Sequence, residues 1–209
     1  MKKNGIFIVF EGIDGAGKTC QMEKTKEYLL SRGLDVVMTR EPGGTVIGEK
    51  IRELLLDPAH KKMDDRCELL LYGASRAQHL AEIILPALQN GKAVLCDRFH
   101  LSTVAYQGYG RGLDLDAIEA MNEIATAGVS PDLTVILDVP ADIGFQRILE
   151  NRDAPKDRLE QEKQVFFQKV REGYLKEAKK RKRNFVVVDG NREIVAVTAD
   201  IEKALRPIL

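Results

Sequence analysis

The sequence predicts an α/β fold built on a parallel sheet, and three observations lead there. Short apolar runs alternate with longer amphipathic stretches along the chain. The short runs are mostly β-branched and bounded by Gly, Asp, Pro or charge, which marks them as strands. Their nearly unbroken apolar character suits strands covered on both faces, as in a parallel sheet. No repeat, low-complexity tract or linker divides the 209 residues, so residues 1–209 are expected to form one domain.

Five strands are readable: GIFIVF (5–10), DVVMT (35–39), AVLCD (93–97), LTVILDV (133–139) and FVVVD (185–189). Helical patterns fill the intervals. The first runs over 19–32 and is stopped by Gly33; others cover 46–56, 64–90 with Pro86 near its end, 101–107 and 116–127. The last three cover 141–151, 160–181 and 192–205. Between two of these lies the densest charge, ENRDAPKDRLEQEK (150–163), interrupted by Pro155. From composition alone it reads equally as a solvated loop or a working one. KKRKR (179–183) reads as a basic helix end that complements the helix dipole.

Composition narrows the function. Lys plus Arg and Asp plus Glu each number 32, so the net charge is zero. No excess positive field favours general binding to nucleic acid or an anionic membrane, and any anionic partner must be held locally. The apolar run before Glu11 is too short for a membrane span or a signal-peptide core. Cys20, Cys67 and Cys96 are odd in number, widely spaced and without a CxxC pair, which argues against a disulfide framework or a zinc site. A reducing, cytoplasmic setting is expected.

The sharpest local signal is GIDGAGKT. Gly12, Gly17, Lys18 and Thr19 fit G-x4-G-K-[ST], with a strand before and a helix after. Glycines permit the backbone angles that aim successive N–H groups at phosphate oxygens, and the helix N-terminus adds partial positive charge. Gly12, Ile13, Asp14, Gly15, Ala16, Gly17, Lys18 and Thr19 are thus expected to hold the phosphates of a nucleotide, which the resemblance described below makes ATP. Lys18 supplies charge to the terminal phosphates, and the Thr19 hydroxyl can ligate magnesium. This loop alone leaves the acceptor open.

Four further segments stand out: TREPGGT (39–45), YGASRAQH (72–79), CDRFHLSTVAYQGYGRG (96–112) and DRLEQE (157–162). With FEGIDGAGKT they closely resemble, in order and spacing, the motifs of the bacterial thymidylate kinases over nearly the whole chain. The resemblance implies the P-loop nucleoside monophosphate kinase fold, a five-stranded parallel sheet flanked by helices with a short lid at about 150–160. It also implies transfer of the ATP γ-phosphate to dTMP with Mg2+, in a homodimer packed through helices.

The same resemblance suggests roles. Arg98 would fork onto the acceptor phosphate beside Arg52, while Asp97 acts with Thr19 on magnesium or its waters. Arg40 is a weaker phosphate candidate, or a loop anchor. Tyr72 would stack on thymine in place of the usual phenylalanine, and Arg76, four residues on, would reach a base carbonyl. Gln107 can offer donor and acceptor to the ring edge. Ser102 and Thr103 would line the nucleoside pocket, and Tyr106 would crowd the sugar. Asp14 would accept from the acceptor 3′-hydroxyl, although Asp14-Gly15 also reads as a plain turn pair. Some relatives carry an arginine after this acid; here the position is Gly15, so the missing cation is expected from the lid, with Arg152, Lys156 and Arg158 as candidates. Arg147 resembles the residue that packs on adenine. The rival readings are a kinase for another nucleotide or nucleoside and a non-catalytic nucleotide-binding module.

Overall fold

A computed structural model describes residues 5–150, 157–181 and 183–209. Five parallel strands, β1 (Ile6–Glu11), β2 (Val36–Arg40), β3 (Ala93–Asp97), β4 (Leu133–Asp138) and β5 (Phe185–Asp189), form one sheet in the order β2-β3-β1-β4-β5. The strands stand where the apolar runs predict them, with ends shifted by at most a residue. β1 and β3 bury both faces. Ile8, Phe10 and Leu95 enter one core cluster and Phe7, Val9, Val94 and Cys96 the other, the period-two split that explains their unbroken apolar sequence.

The helices are α1 (Lys18–Ser31), α2 (Val46–Leu56), α3 (Asp65–His79), α4 (Leu85–Gln89), α5 (His100–Thr103), α6 (Leu115–Thr126), α7 (Ala141–Glu150), α8 (Gln164–Lys180) and α9 (Ile194–Leu205). The single helix predicted over 64–90 is interrupted. A π-helical segment, Leu80–Ile84, joins α3 to α4 just before Pro86. Proline has no N–H to give and its ring crowds the preceding turn, and a widened turn accommodates both.

The helix predicted over 101–107 starts at His100 and runs on to Gly110, its second part, Val104–Gly110, again π-helical. That wider turn carries Tyr106 and Gln107. The helix predicted from 160 begins instead at Gln164, because residues 157–162 make their own turn. Within it Asp157 N–H donates to Glu160 and Glu160 N–H to Asp157. Arg158 N–H donates to the Leu56 carbonyl at 3.0 Å, docking the turn onto α2.

The register sets the carboxyl ends of three strands level. Phe10 and Arg40 both lie opposite Asp97. Two hydrogen bonds carry the ladder past the strands, Arg98 N–H to Phe10 O and Glu41 N–H to Asp97 O, each 2.9 Å. The loops after β1, β2 and β3 therefore meet at one edge, where open α/β sheets place ligands.

Candidate active site

Two cavities open at that edge. The larger, about 820 Å³, is lined by residues 14–21 with Asp97, Arg147, Gly190 and Arg192. Its floor is the loop after β1. Gly12, Gly15 and Gly17 have φ of 136°, 77° and 93°, a region costly for residues with a side chain, and Gly17 passes the chain into α1. A Cβ on Gly15 would stand 2.2 Å from the Gly144 carbonyl oxygen in α7. Close packing of loop on helix thus accounts for glycine at this position.

Lys18 is buried, its Nζ donating to the Ile13 carbonyl at 3.1 Å and the Gly12 carbonyl at 3.3 Å. Burial, then the positive charge of Arg98, draws its pKa down, while Asp97 and Asp14 oppose them. The Asp97 Oδ1 lies 3.9 Å from Lys18 Nζ and is buried without a hydrogen-bond partner. Such an oxygen suits a cation or its water, and the Thr19 hydroxyl lines the same cleft. Among the described residues no cluster of three or more His, Cys, Asp or Glu could hold a metal, so a metal there would take most of its ligands from phosphate and water. Arg147 crosses the cleft wall, donating to the Gly190 carbonyl at 3.1 Å and Asn191 Oδ1 at 3.2 Å.

The second cavity is tight, about 80 Å³, and lies on the other side of Asp14. Asp14, Arg52, Tyr72, Arg98, Ser102, Thr103, Tyr106 and Gln107 line it together with Glu41, Pro42, Leu56, Asp157 and Leu159. Every residue predicted for the acceptor is therefore here except Arg76 and the weaker candidate Arg40. The Thr103 hydroxyl is buried without a partner. Arg52 donates to the Pro42 carbonyl at 3.0 Å; burial, then the neighbouring charge of Arg40, lowers its pKa. Arg40 itself ties Pro42 O to Glu49, the loop-anchor alternative.

Arg98 stands between the two cavities with φ of 69°, a left-handed backbone that costs a non-glycine residue about 1–3 kcal/mol. Its guanidinium donates to Asp14 (2.7 Å), Gly12 O (2.9 Å), Tyr106 OH (3.0 Å), Tyr174 OH (3.1 Å) and Ser102 Oγ (3.2 Å). Burial pushes the Asp14 carboxyl upward, but Arg98 and then Lys18 outweigh it and hold the pKa down to about 2. Asp14 is thus an ionised acceptor that lines both cavities.

Beneath Arg98 sits Glu11, fully buried. It accepts from Phe99 N–H (3.0 Å), Ser102 N–H (3.1 Å), Ser102 Oγ (2.5 Å) and Tyr174 OH (2.9 Å). Burial raises its pKa against the pull of those partners and of Arg98. Glu11 was not foreseen as a functional residue. Its signal was available, since an acid closing an apolar strand must find partners, but they lie up to 163 residues away.

Arg76 does not line this second cavity and is 1% exposed. It donates to Glu41 (2.8 Å), Asn122 Oδ1 (2.8 Å) and the Phe99 carbonyl (3.1 Å). Glu41, also unforeseen, receives His79 Nδ1 at 3.1 Å on its other oxygen and lines the cavity. Of the three lid candidates, Arg152 and Lys156 lie outside the described residues. Arg158 donates to the Leu55 carbonyl at 2.7 Å and to Glu68, beside the second cavity, whose wall includes its neighbours Asp157 and Leu159.

A G-x4-G-K-[ST] loop at the end of a central strand, in a 2-3-1-4-5 parallel sheet with a second cavity beside it, marks the class of P-loop nucleoside monophosphate kinases. The family model for thymidylate kinase matches residues 10–201. The chain is 49% identical over 206 residues to the thymidylate kinase of Geotalea daltonii, covering 94% of this chain and 96% of that one. It is also 49% identical to that of Pelotomaculum thermopropionicum, covering 98% and 94%. The crystal structure of thymidylate kinase from Ehrlichia chaffeensis superposes with a TM-score of 0.78 at 37% identity, covering 96% of this chain and 98% of that one. The chain belongs to the thymidylate kinase family, and its reaction is phosphoryl transfer to dTMP.

Proposed function

We propose that the larger cleft holds ATP with Mg2+, that the tight cavity holds dTMP, and that Arg98 and Asp14 connect them. The observation that carries this reading is the position of Asp14. Its ionised carboxylate belongs to the phosphate loop yet also lines the acceptor cavity beside Tyr106 and Arg98. There it can accept from a sugar hydroxyl without opposing phosphate binding, because the loop meets phosphate through backbone N–H groups.

The acceptor phosphate has a second pKa of about 6, so near neutral pH it is already a nucleophile and needs no strong general base. Alignment and charge neutralisation then dominate. Lys18 lies toward the donor phosphates; Arg98 and Arg52 face the acceptor phosphate. Arg147 packs against adenine. Tyr72 lies against the thymine face, Gln107 meets its edge, and Ser102, Thr103 and Tyr106 shape the sugar side. Thr19 and Asp97 would hold Mg2+, which, when bound, neutralises charge between the donor phosphates.

Purified protein assayed for ADP release with dTMP, dUMP, dCMP, dGMP and thymidine tests the acceptor. A clear preference for dTMP is expected, and Asp14→Ala should raise KM for dTMP about tenfold or more while changing KM for ATP far less. Preference for another acceptor would overturn the substrate reading; equal losses for both substrates would reduce Asp14 to a turn residue.

The enzyme is further proposed to work as a cytoplasmic homodimer. α3 packs against both α2 and α6, and these three helices expose Leu54, Leu70 (63%) and Ile124 (83%), apolar surface that a second copy would cover. Sedimentation equilibrium at micromolar protein is expected to give twice the chain mass, and a monomer throughout would refute the dimer. Among the described residues no helix is long and apolar enough to cross a membrane.

A further inference from the structure

The acceptor cavity contains a residue whose hydrogen-bonding choice has been made by a neighbour. Gln107 Nε2 donates to Glu68 Oε1 at 2.7 Å. Glu68, on the first turn of α3 and 1% exposed, also accepts from Arg111 Nε at 3.2 Å and Nη2 at 3.1 Å, and from Arg158 Nη2. Burial raises the pKa of this carboxyl, but its bonds to Arg111 first, then to Gln107 and Arg158, bring it below the ordinary value. It is therefore a carboxylate with no proton to give.

An ionised carboxylate only accepts, so the amide end of Gln107 facing it must be the NH2. The oxygen, Oε1, is then the atom left for the cavity that Gln107 lines. Reversal would set Oε1 against the carboxylate, two acceptors together, and leave a buried acceptor unsatisfied. The backbone beneath is fixed as well, since the Gln107 main-chain carbonyl accepts Leu113 N–H at 3.1 Å.

We infer that Glu68 is a specificity-determining positioning residue: by holding the Gln107 amide with its oxygen toward the cavity, it selects pyrimidines that present a ring N3–H and rejects cytosine. Thymine and uracil carry a hydrogen on N3, which a lone fixed acceptor satisfies. Cytosine carries a lone pair there and would meet Oε1 acceptor to acceptor. This filter is blind to the 5-methyl group, so thymine and uracil pass it alike and must be told apart elsewhere in the pocket. Glu68 touches no substrate; it acts through Gln107, and Arg111 and Arg158 keep it charged.

The inference rests on the assignment of the tight cavity to dTMP, and one experiment separates the two. kcat/KM is measured for dTMP, dUMP and dCMP with the full-length wild type and with Glu68→Gln, whose neutral amide can face Gln107 with either end and so frees it to turn. The expected result is a fall of at least about tenfold in the dTMP-to-dCMP ratio, with the dTMP-to-dUMP ratio unchanged within about twofold. An unchanged dTMP-to-dCMP ratio, or a parallel change in both ratios, overturns the role of Glu68 while leaving the dTMP reading intact. A wild type that does not phosphorylate dTMP overturns both. Should the variant fail to fold, wild-type NMR decides. The Gln107 side-chain NH2 is expected to keep its through-hydrogen-bond coupling to the Glu68 carboxylate when dTMP binds, and loss of that coupling shows the amide turning away from Glu68 and refutes the proposal.

Discussion

Arg98→Ala is expected to lower kcat for dTMP phosphorylation by about 10³-fold or more, the scale on which arginines that neutralise a moving phosphoryl group act. The guanidinium is shared by Gly12 O of the phosphate loop, Asp14, and the Ser102 and Tyr106 hydroxyls of the acceptor wall. Its removal takes away the charge and the fork that fixes donor side against acceptor side. Arg98→Lys keeps the charge but, as a single point, cannot serve both walls, and should recover only part of the rate. Arg98→Gly separates backbone from side chain. Glycine tolerates φ of 69°, so this variant should melt no lower than Arg98→Ala and yet be equally slow. A kcat within tenfold of wild type in any of the three folded variants would refute the assigned role. There is also an acid signature. The Asp14 pKa is depressed in the fold, so its contribution to stability is full above its ordinary value of 3.8 and lost as pH falls toward about 2. Without Arg98 that contribution shrinks, although Lys18 at 4.0 Å retains part of it.

Much of this arrangement was legible because it is encoded locally. The phosphate loop is a fixed spacing between a strand and a helix, and the strands are apolar runs whose period requires cover on both faces. Features that depend on distant partners were not legible. Pro86 marks a disturbed helix without saying that the turn before it, Leu80–Ile84, widens to accommodate it, and nothing in LSTVAYQGYG says that Tyr106 and Gln107 ride a widened turn ending at Gly110. The acids show the same divide. Asp14 stood out because it sits inside a motif. Glu41 and Glu68 read as ordinary acids, one in a turn and one on a helix, until the fold brings Arg76 to the first and Gln107, Arg111 and Arg158 to the second. Arg76 shows the converse. Its helical spacing from Tyr72 put both on one face, but a guanidinium is long enough to turn inward, and Glu41 and Asn122 hold it so that it does not line the cavity.

Glu11→Gln is expected to slow the enzyme by about 10- to 100-fold, with KM for ATP nearly unchanged, by an effect carried through Ser102 and Tyr174 to Arg98. The wild-type carboxylate accepts two backbone N–H groups on one oxygen and two hydroxyls on the other. An amide can match the first pair with its oxygen, but its NH2 then faces hydroxyls that already receive Arg98. Both hydroxyls would have to turn their protons elsewhere, at a cost of about 1–3 kcal/mol for a buried group left unpaired. Stability should respond differently. The folded pKa of Glu11 is raised above its ordinary 4.5, so between 4.5 and that raised value unfolding releases a proton, and the wild type loses stability as pH rises through the window. Glutamine does not titrate. The stability of Glu11→Gln relative to wild type should therefore improve as pH climbs from 4.5, most of it before the folded carboxyl is fully ionised. His100, whose pKa burial and then Arg76 lower to about 3, adds the opposite slope between about 3 and 6.5, but it does so in both proteins and cancels in the difference. Denaturant titrations of the pair from pH 4.5 to 8 read this directly, alongside kcat at each pH. A flat stability difference would mean that Glu11 titrates alike in both states, and an undiminished kcat would mean that Arg98 does not depend on the acid beneath it.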